Sequence, residues 1–259
     1  MIAVLVALVA GFPAVARADD RVVGGHDATE PYGFAASLHA FRGKGAFCSG
    51  SLIDRFWVLT AWHCVPPKVK PSDLQVSLAP DPFAPDLVEV RAVHGPPPSG
   101  ADLALLELSA PAEGRPIRIG RGVPHLSPVR ILGFGDVCQG DDCDAHRLQE
   151  LDTSIVPDEV CRNNKIKPDL EFCVQRHDRD GGACDGDSGG PAIRARPVAP
   201  WVLFGALSRG NRESCRTGPD VYTDVPAHRD WIARFVPRAV GTTGRDGLTF
   251  GMMASCDHT

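Results

Sequence analysis

Gly186-Asp187-Ser188-Gly189-Gly190-Pro191 sets one serine among small residues. Such a run can hold the hydroxyl free on a tight turn, with neighbouring backbone N–H groups facing inward. Acyl transfer needs that geometry: a nucleophile beside donors for a developing oxyanion. Gly, Asp and Ser also dominate ordinary surface turns for backbone reasons, so the hexapeptide alone leaves both readings open. Two further segments bear on the choice. Leu59-Thr60-Ala61-Trp62-His63-Cys64 ends an apolar, strand-like run on a histidine beside a cysteine. Asp102-Leu103-Ala104-Leu105-Leu106-Glu107-Leu108 opens an apolar strand on an aspartate, whose carboxylate is therefore expected near or under the surface. Singly, a His at a strand end and an Asp before a strand are usually structural. Together with the serine they supply a nucleophile, a base and a group to orient the base.

A serine hydroxyl is a poor nucleophile at neutral pH and needs a base to take its proton. His63 suits that role and can later return the proton to a leaving amine. A partly buried Asp102, accepting from the other ring nitrogen, would fix the tautomer and stabilise the cation that forms.

In these motifs, and in the order His63, Asp102, Ser188, the chain resembles the trypsin/chymotrypsin-like serine proteases; chymotrypsin is itself the standard case of that order. The resemblance runs from about Val22 to Phe235. It implies two six-stranded antiparallel β-barrels, at about 22–120 and 121–225, with the active site between them and a closing helix at about 226–236. It implies catalysis by His63, Asp102 and Ser188, and an oxyanion hole from the N–H groups of Gly186 and Ser188. Ser208 matches the family serine whose hydroxyl supports the buried aspartate. Arg21-Val22-Val23-Gly24-Gly25 matches the activation site. Cutting after Arg21 would free the Val22 amine to pair with Asp187, since a buried carboxylate without a partner is very unfavourable.

The substrate pocket departs from the common trypsin pattern. Gly182 stands six residues before the serine, where trypsin has an aspartate. Pro219-Asp220-Val221-Tyr222-Thr223 resembles the family's Pro-Gly-Val-Tyr-Thr, with Asp220 replacing the glycine that lines the pocket near its base. A carboxylate there would meet a basic side chain from another direction, giving preference for Arg and Lys or broad acceptance. Gly210 leaves the pocket mouth open, and Ala183 adds no hydroxyl to the floor. Arg209 replaces the tryptophan that commonly walls the next subsites. Asp185 stands at the pocket entrance and should disfavour acidic substrates by like-charge repulsion.

Composition sets the wider frame. The 259 residues are 43% hydrophobic and 23% charged, ample for a packed core. Net charge is −5 with no long basic run, so neither nucleic acid nor an anionic membrane is expected as partner. The expected partners are protein or peptide substrates, an activating protease or the enzyme itself, and protein inhibitors. Residues 1–18 read as a signal peptide, apolar from Ile2 to Val15 and ending Ala16-Arg17-Ala18. No Lys or Arg lies between Met1 and that run. Asp19-Asp20-Arg21 would be the propeptide, 22–236 the protease domain and 237–259 an extension. The expected location is extracellular.

Nine cysteines in a secreted chain suggest disulfides with one left over, and the residues alone do not pair them. The resemblance implies Cys48–Cys64, Cys161–Cys173 and Cys184–Cys215. Cys138 and Cys143 are close enough for a local loop, which leaves Cys256 odd. There is no pair of Cys-x-x-Cys knuckles for zinc, and Ser77 to Val88 lacks the glutamate pair of a calcium loop, so no metal or other cofactor is expected.

Short apolar runs punctuated by Gly, Pro, Asp and Ser read as strands of an all-β chain. They are Phe47 to Ile53, Trp57 to Ala61, Leu74 to Leu78, Leu87 to Val93, Leu103 to Leu108, Val129 to Gly133, Leu151 to Val156, Pro191 to Ile193, Trp201 to Leu207 and Val221 to Val225. The rival readings are a catalytically silent homologue used as a binding module, and a protease with a neutral, elastase- or chymotrypsin-like pocket. An α/β-hydrolase esterase is disfavoured, because His63 precedes Asp102 and Ser188 along the chain.

Overall fold

The structure, a computed structural model, describes residues 23–43, 45–137, 143, 145–196, 199–210, 215 and 218–241. The readings that fall on residues 1–22 (leader, propeptide, Arg21 and Val22), on Cys138 and on the tail beyond 241 with Cys256 lie outside these residues. Strand β1 (His26–Asp27) is followed by six strands that close a barrel: β2 (Ala35–Ala40), β3 (Cys48–Asp54), β4 (Trp57–Thr60), β5 (Leu74–Ser77), β6 (Leu87–His94) and β7 (Ala104–Leu108). Their order around it is β2-β3-β4-β7-β6-β5. Closure leaves no edge strand to pair with another chain. Leu38, Leu52, Leu59, Leu105 and Leu108 are buried on its strands, each at most 1% exposed.

A short β8 (Arg118–Ile119) crosses to the second half. There β9 (Pro128–Gly133), β10 (Gln149–Val156), β11 (Glu171–Gln175), β12 (Pro191–Arg196), β13 (Ala199–Arg209) and β14 (Asp220–Asp224) follow. Their pairings run β10-β11-β14-β13-β12-β9 and return to β10, closing a second six-stranded barrel. Val129, Ile131, Leu151, Phe172, Val174 and Tyr222 are buried in it. Among the described residues all pairings within the barrels are antiparallel, and only β8 runs parallel, beside β13. The halves are not divided in space as they are along the chain, because β1 pairs with β10 of the second barrel.

The two-residue β1 and β8 and two barrel strands, β2 and β11, were not among the sequence runs. Ala35-Ala36-Ser37-Leu38-His39-Ala40 carries one large apolar residue, and β11 opens on Glu171. Both are strands because neighbours hydrogen-bond them on each side. The closing helix α1 spans only Arg229–Ala233, preceded by a 3-10 turn at Pro226–His228. Packed chain continues beyond it: Ala239 and Val240 are buried in a further 3-10 turn.

Candidate active site

The strand register of the first barrel brings His63 and Asp102 together. β4 and β7 are antiparallel with Thr60 opposite Ala104. His63 follows Thr60 by three residues, on a 3-10 turn, and Asp102 precedes Ala104 by two, so both project from the same end. His63 Nδ1 lies 2.7 Å from Asp102 Oδ2, and the His63 backbone N–H donates to Asp102 Oδ1 at 2.9 Å. Two donors from the second barrel complete the aspartate's surroundings. Ser208 Oγ donates to Asp102 Oδ2 at 2.8 Å, and Thr223 Oγ1 donates to the Asp102 carbonyl at 3.1 Å. Burial pushes the Asp102 carboxyl up, but its hydrogen bonds to His63 and Ser208 and the His63 charge outweigh this and hold it below the usual value. The carboxylate therefore stays charged beside the imidazole, as the orienting role requires.

The loop of Ser188 is held against both barrels. Gly189 N–H donates to the Leu207 carbonyl and Leu207 N–H to that of Gly190, which fastens the loop to β13 beside Ser208. Ser49 of β3 fastens it to the first barrel. Its N–H donates to the Ser188 carbonyl at 2.8 Å, and its Oγ donates to the Gly186 carbonyl at 3.0 Å. Cys64 Sγ is 3.6 Å from the Ser188 carbonyl oxygen, so the serine loop abuts the turn that carries His63. No hydrogen bond joins the Ser188 hydroxyl to His63 among the described residues. Such bonds are often long in an enzyme without substrate and tighten when it binds.

Within the loop the backbone donors divide. Those of Asp187, Gly189 and Gly190 are taken, by the carbonyls of Cys184, Leu207 and Asp187. Those of Gly186 and Ser188 donate to nothing among the described residues, as a pair waiting for an oxyanion would. Gly186 has φ +91°, and a Cβ there would meet the Gly135 Cα at 2.7 Å, so only glycine lets this peptide turn as it does.

Asp187 is 3% exposed. It accepts from the N–H groups of Gly135 and Cys184, each at 2.8 Å, and no described cation pairs with it. Burial pushes its carboxyl up to about 7; the nearby charges of Asp136 and Asp185 add to this, and the two N–H donors oppose it. The expected partner, the Val22 amine, lies outside the described residues. Its neighbour Val23 is buried and accepts from Gly182 N–H at 3.0 Å.

Asp220 is likewise 3% exposed. It reaches into the gap between the expected pocket walls. Its Oδ2 lies 2.9 Å from where a Cβ on Gly182 would stand, and its Oδ1 lies 2.7 Å from the same point on Gly210. Ala183 N–H donates to Oδ2 at 2.9 Å. Burial pushes this carboxyl up to about 8, the charge of Asp187 adding to the effect and the Ala183 donor opposing it. Asp185 is exposed at the surface. Arg209 turns its guanidinium to Glu171 and also donates to the carbonyls of Asn164 and Lys165.

Disulfides join Cys48 to Cys64, Cys161 to Cys173 and Cys184 to Cys215. The first ties β3 to the His63 turn, and the third ties Ala183's neighbour to the loop before β14. Cys143 is also disulfide-bonded, while Cys138 lies outside the described residues. The sequence reading missed Ser49, Thr223 and Glu171. Only the bond from Cys48 to Cys64 hinted at Ser49, by placing its neighbour near His63.

An imidazole held by a charged carboxylate, next to a serine loop with two free donors, can perform acyl transfer. The family model described as Trypsin matches residues 22–232. The chain belongs to the trypsin family of serine proteases. Over 247 residues it is 28% identical to a trypsin-like protease of Streptomyces glaucescens, covering 90% of this chain and 89% of that one. It is 31% identical to transmembrane protease serine 11C of Mus musculus, over 82% of this chain and 53% of the relative. It is also 31% identical to coagulation factor XII of Rattus norvegicus, over 82% of this chain and 40% of the relative. The chain thus spans about half or less of the length of those two relatives. Among the described residues no helix is long and apolar enough to cross a membrane.

Proposed function

We propose that this chain is a serine endopeptidase made as a zymogen, hydrolysing peptide bonds through an acyl-enzyme on Ser188. His63 takes the proton from Ser188 Oγ as that oxygen attacks the scissile carbonyl carbon. The carbonyl oxygen becomes an oxyanion and accepts from the N–H groups of Gly186 and Ser188. Losing one such donor typically costs about 2.7–4 kcal/mol of transition-state stabilisation. The imidazolium, held by Asp102, returns the proton to the leaving amine, and water repeats the sequence to free the acid. The observation that carries this reading is the hydrogen-bonded line Ser208–Asp102–His63 beside the serine loop.

The position of Asp220 between Gly182 and Gly210 supports cleavage after Arg and Lys, with tolerance of neutral residues when water fills the remaining space. The buried Asp187, which has no partner cation among the described residues, supports activation by cutting after Arg21. The disulfides support an extracellular location and a leader at residues 1–18. Protein substrates, an activating protease or self-activation, and protein inhibitors are the partners that fit. Reaction of the form starting at Val22 with a fluorophosphonate tests the central claim. Labelling at Ser188 is expected; absence of label on a folded protein overturns it.

A further inference from the structure

We infer that Arg209, backed by Glu171, is a positioning residue that holds the Ser208 hydroxyl on Asp102; this rests on the triad reading above. Arg209 stands where a substrate wall was expected, yet its guanidinium points elsewhere. Nη1 donates to Ser208 Oγ at 3.2 Å. The same Nη1 donates to Glu171 Oε1 at 2.8 Å, and Nη2 to Glu171 Oε2 at 2.7 Å. Nε and Nη2 donate to the carbonyls of Asn164 and Lys165 at 2.7 and 2.9 Å.

A guanidinium fork is rigid and planar, so a two-point grip on a carboxylate sets its orientation. Glu171 makes a firm anchor. Its side chain is 2% exposed, and its Oε2 also accepts from Lys167 N–H at 2.7 Å. Strand register carries the anchor to the site. Glu171 of β11 pairs with Thr223 of β14, whose hydroxyl donates to the Asp102 carbonyl.

The consequence is directional. A serine hydroxyl has one proton and two lone pairs. Arg209 occupies a lone pair of Ser208 Oγ with a charged donor. The proton of that hydroxyl is left for Asp102 Oδ2, 2.8 Å away. One hydrogen-bonded line then runs Glu171–Arg209–Ser208–Asp102–His63, from a buried anchor to the base. Its members come from both barrels, so it also fixes one barrel's aspartate against the other's strand. Arg209 touches no reacting atom in this arrangement and acts through Ser208.

The test is a mutant cycle in the form starting at Val22. Glu171→Gln/Arg209→Met removes the ion pair without stranding a buried charge, which keeps the fold viable. Each of this pair-variant and the parent is made with Ser208 and with Ser208→Ala. The readouts are kcat and KM on a short peptide amide, and the rate of Ser188 labelling by a fluorophosphonate. With Ser208 present, kcat and labelling should fall about three- to tenfold, the worth of one hydrogen bond, while KM stays within about twofold. With Ser208→Ala, the pair-variant should change them by less than about twofold. Equal losses in both backgrounds would mean that Arg209 acts by packing and not through Ser208. A loss confined to KM would make it a substrate contact. Either result, or no loss at all, overturns the inference while the parent stays active. An inactive parent, or one labelled elsewhere than Ser188, would instead overturn the triad reading.

Discussion

Asp220 Oδ2 accepts a 2.9 Å hydrogen bond from the N–H of Ala183, at the base of the expected pocket. Among the described residues that N–H is the carboxylate's one donor. A buried carboxylate with a single neutral donor is poorly compensated, and a substrate cation would complete it. Gly182 and Gly210 leave the space on either side of it.

Replacing Asp220 with Gly should therefore lower kcat/KM on an Arg substrate by one to several orders of magnitude and leave a matched Leu substrate nearly unchanged. Breaking a buried pair by removing one partner typically costs about 3–5 kcal/mol, and trapped water argues for the lower end. The measured quantity is the Arg-to-Leu ratio in parent and variant. An unchanged ratio would reassign the pocket as neutral.

The same ratio should depend on pH. Burial pushes Asp220 up to about 8, so in the free enzyme it is largely neutral at pH 6 and charged above pH 8. The profile of kcat/KM reports groups of the free enzyme. Groups that serve both substrates alike cancel in the ratio. Preference for Arg over Leu should rise between about pH 6 and 9, and Asp220→Asn should flatten that rise.

Asp187 makes a claim about the uncleaved chain. Its folded value of about 7 lies above the ordinary carboxyl value of 3.8 that the unfolded chain would show. The folded form holds the proton more tightly, so the group's stabilisation is complete below about pH 4 and is lost as pH rises through about 7. Melting temperature of the Asp19-started form should fall across that window more steeply than in Asp187→Asn. Trimming to Val22 should remove the difference and switch on turnover, whereas Asp187→Asn should stay poorly active when trimmed. Equal turnover of trimmed and untrimmed chains would contradict the zymogen reading.

Ser49→Ala tests the fastening of the serine loop. Ser49 Oγ accepts from Phe134 N–H at 3.1 Å while donating to the Gly186 carbonyl. Its loss strands a buried N–H, at about 1–3 kcal/mol, and lets the N–H groups proposed to hold the oxyanion move. Calorimetry should show a drop of several degrees in Tm, together with a fall in kcat larger than any rise in KM. A change in Tm alone would leave Ser49 a purely structural group.

What could be read in the chain divides along physical lines. His63 and Asp102 stood out at the ends of apolar runs, and Ser188 in a run of small residues. Strands with large β-branched or leucine-rich runs, such as Leu103 to Leu108, were legible as such runs. β2 and β11 were not, because small or charged residues are strands there only through their neighbours' hydrogen bonds. Thr223 and Glu171 gain their place by lying opposite each other across two strands. That register depends on closure of the barrel, and no local run of residues encodes it. Asp220 was visible as a departure from a motif, but its reach between Gly182 and Gly210 needed the fold.

The crossover at Arg118–Ile119 lies parallel to Val202–Leu203 of β13, and Arg229 donates to the carbonyls of Ile119 and Gly120 at 3.0 and 2.8 Å. From Val202 to Ser208 the strand travels about 20 Å at roughly 3.3 Å per residue. The serine loop, fastened to β13 at Leu207, is therefore tied through that one strand to the contacts of the closing helix, which gives the two ends of the second barrel a shared frame.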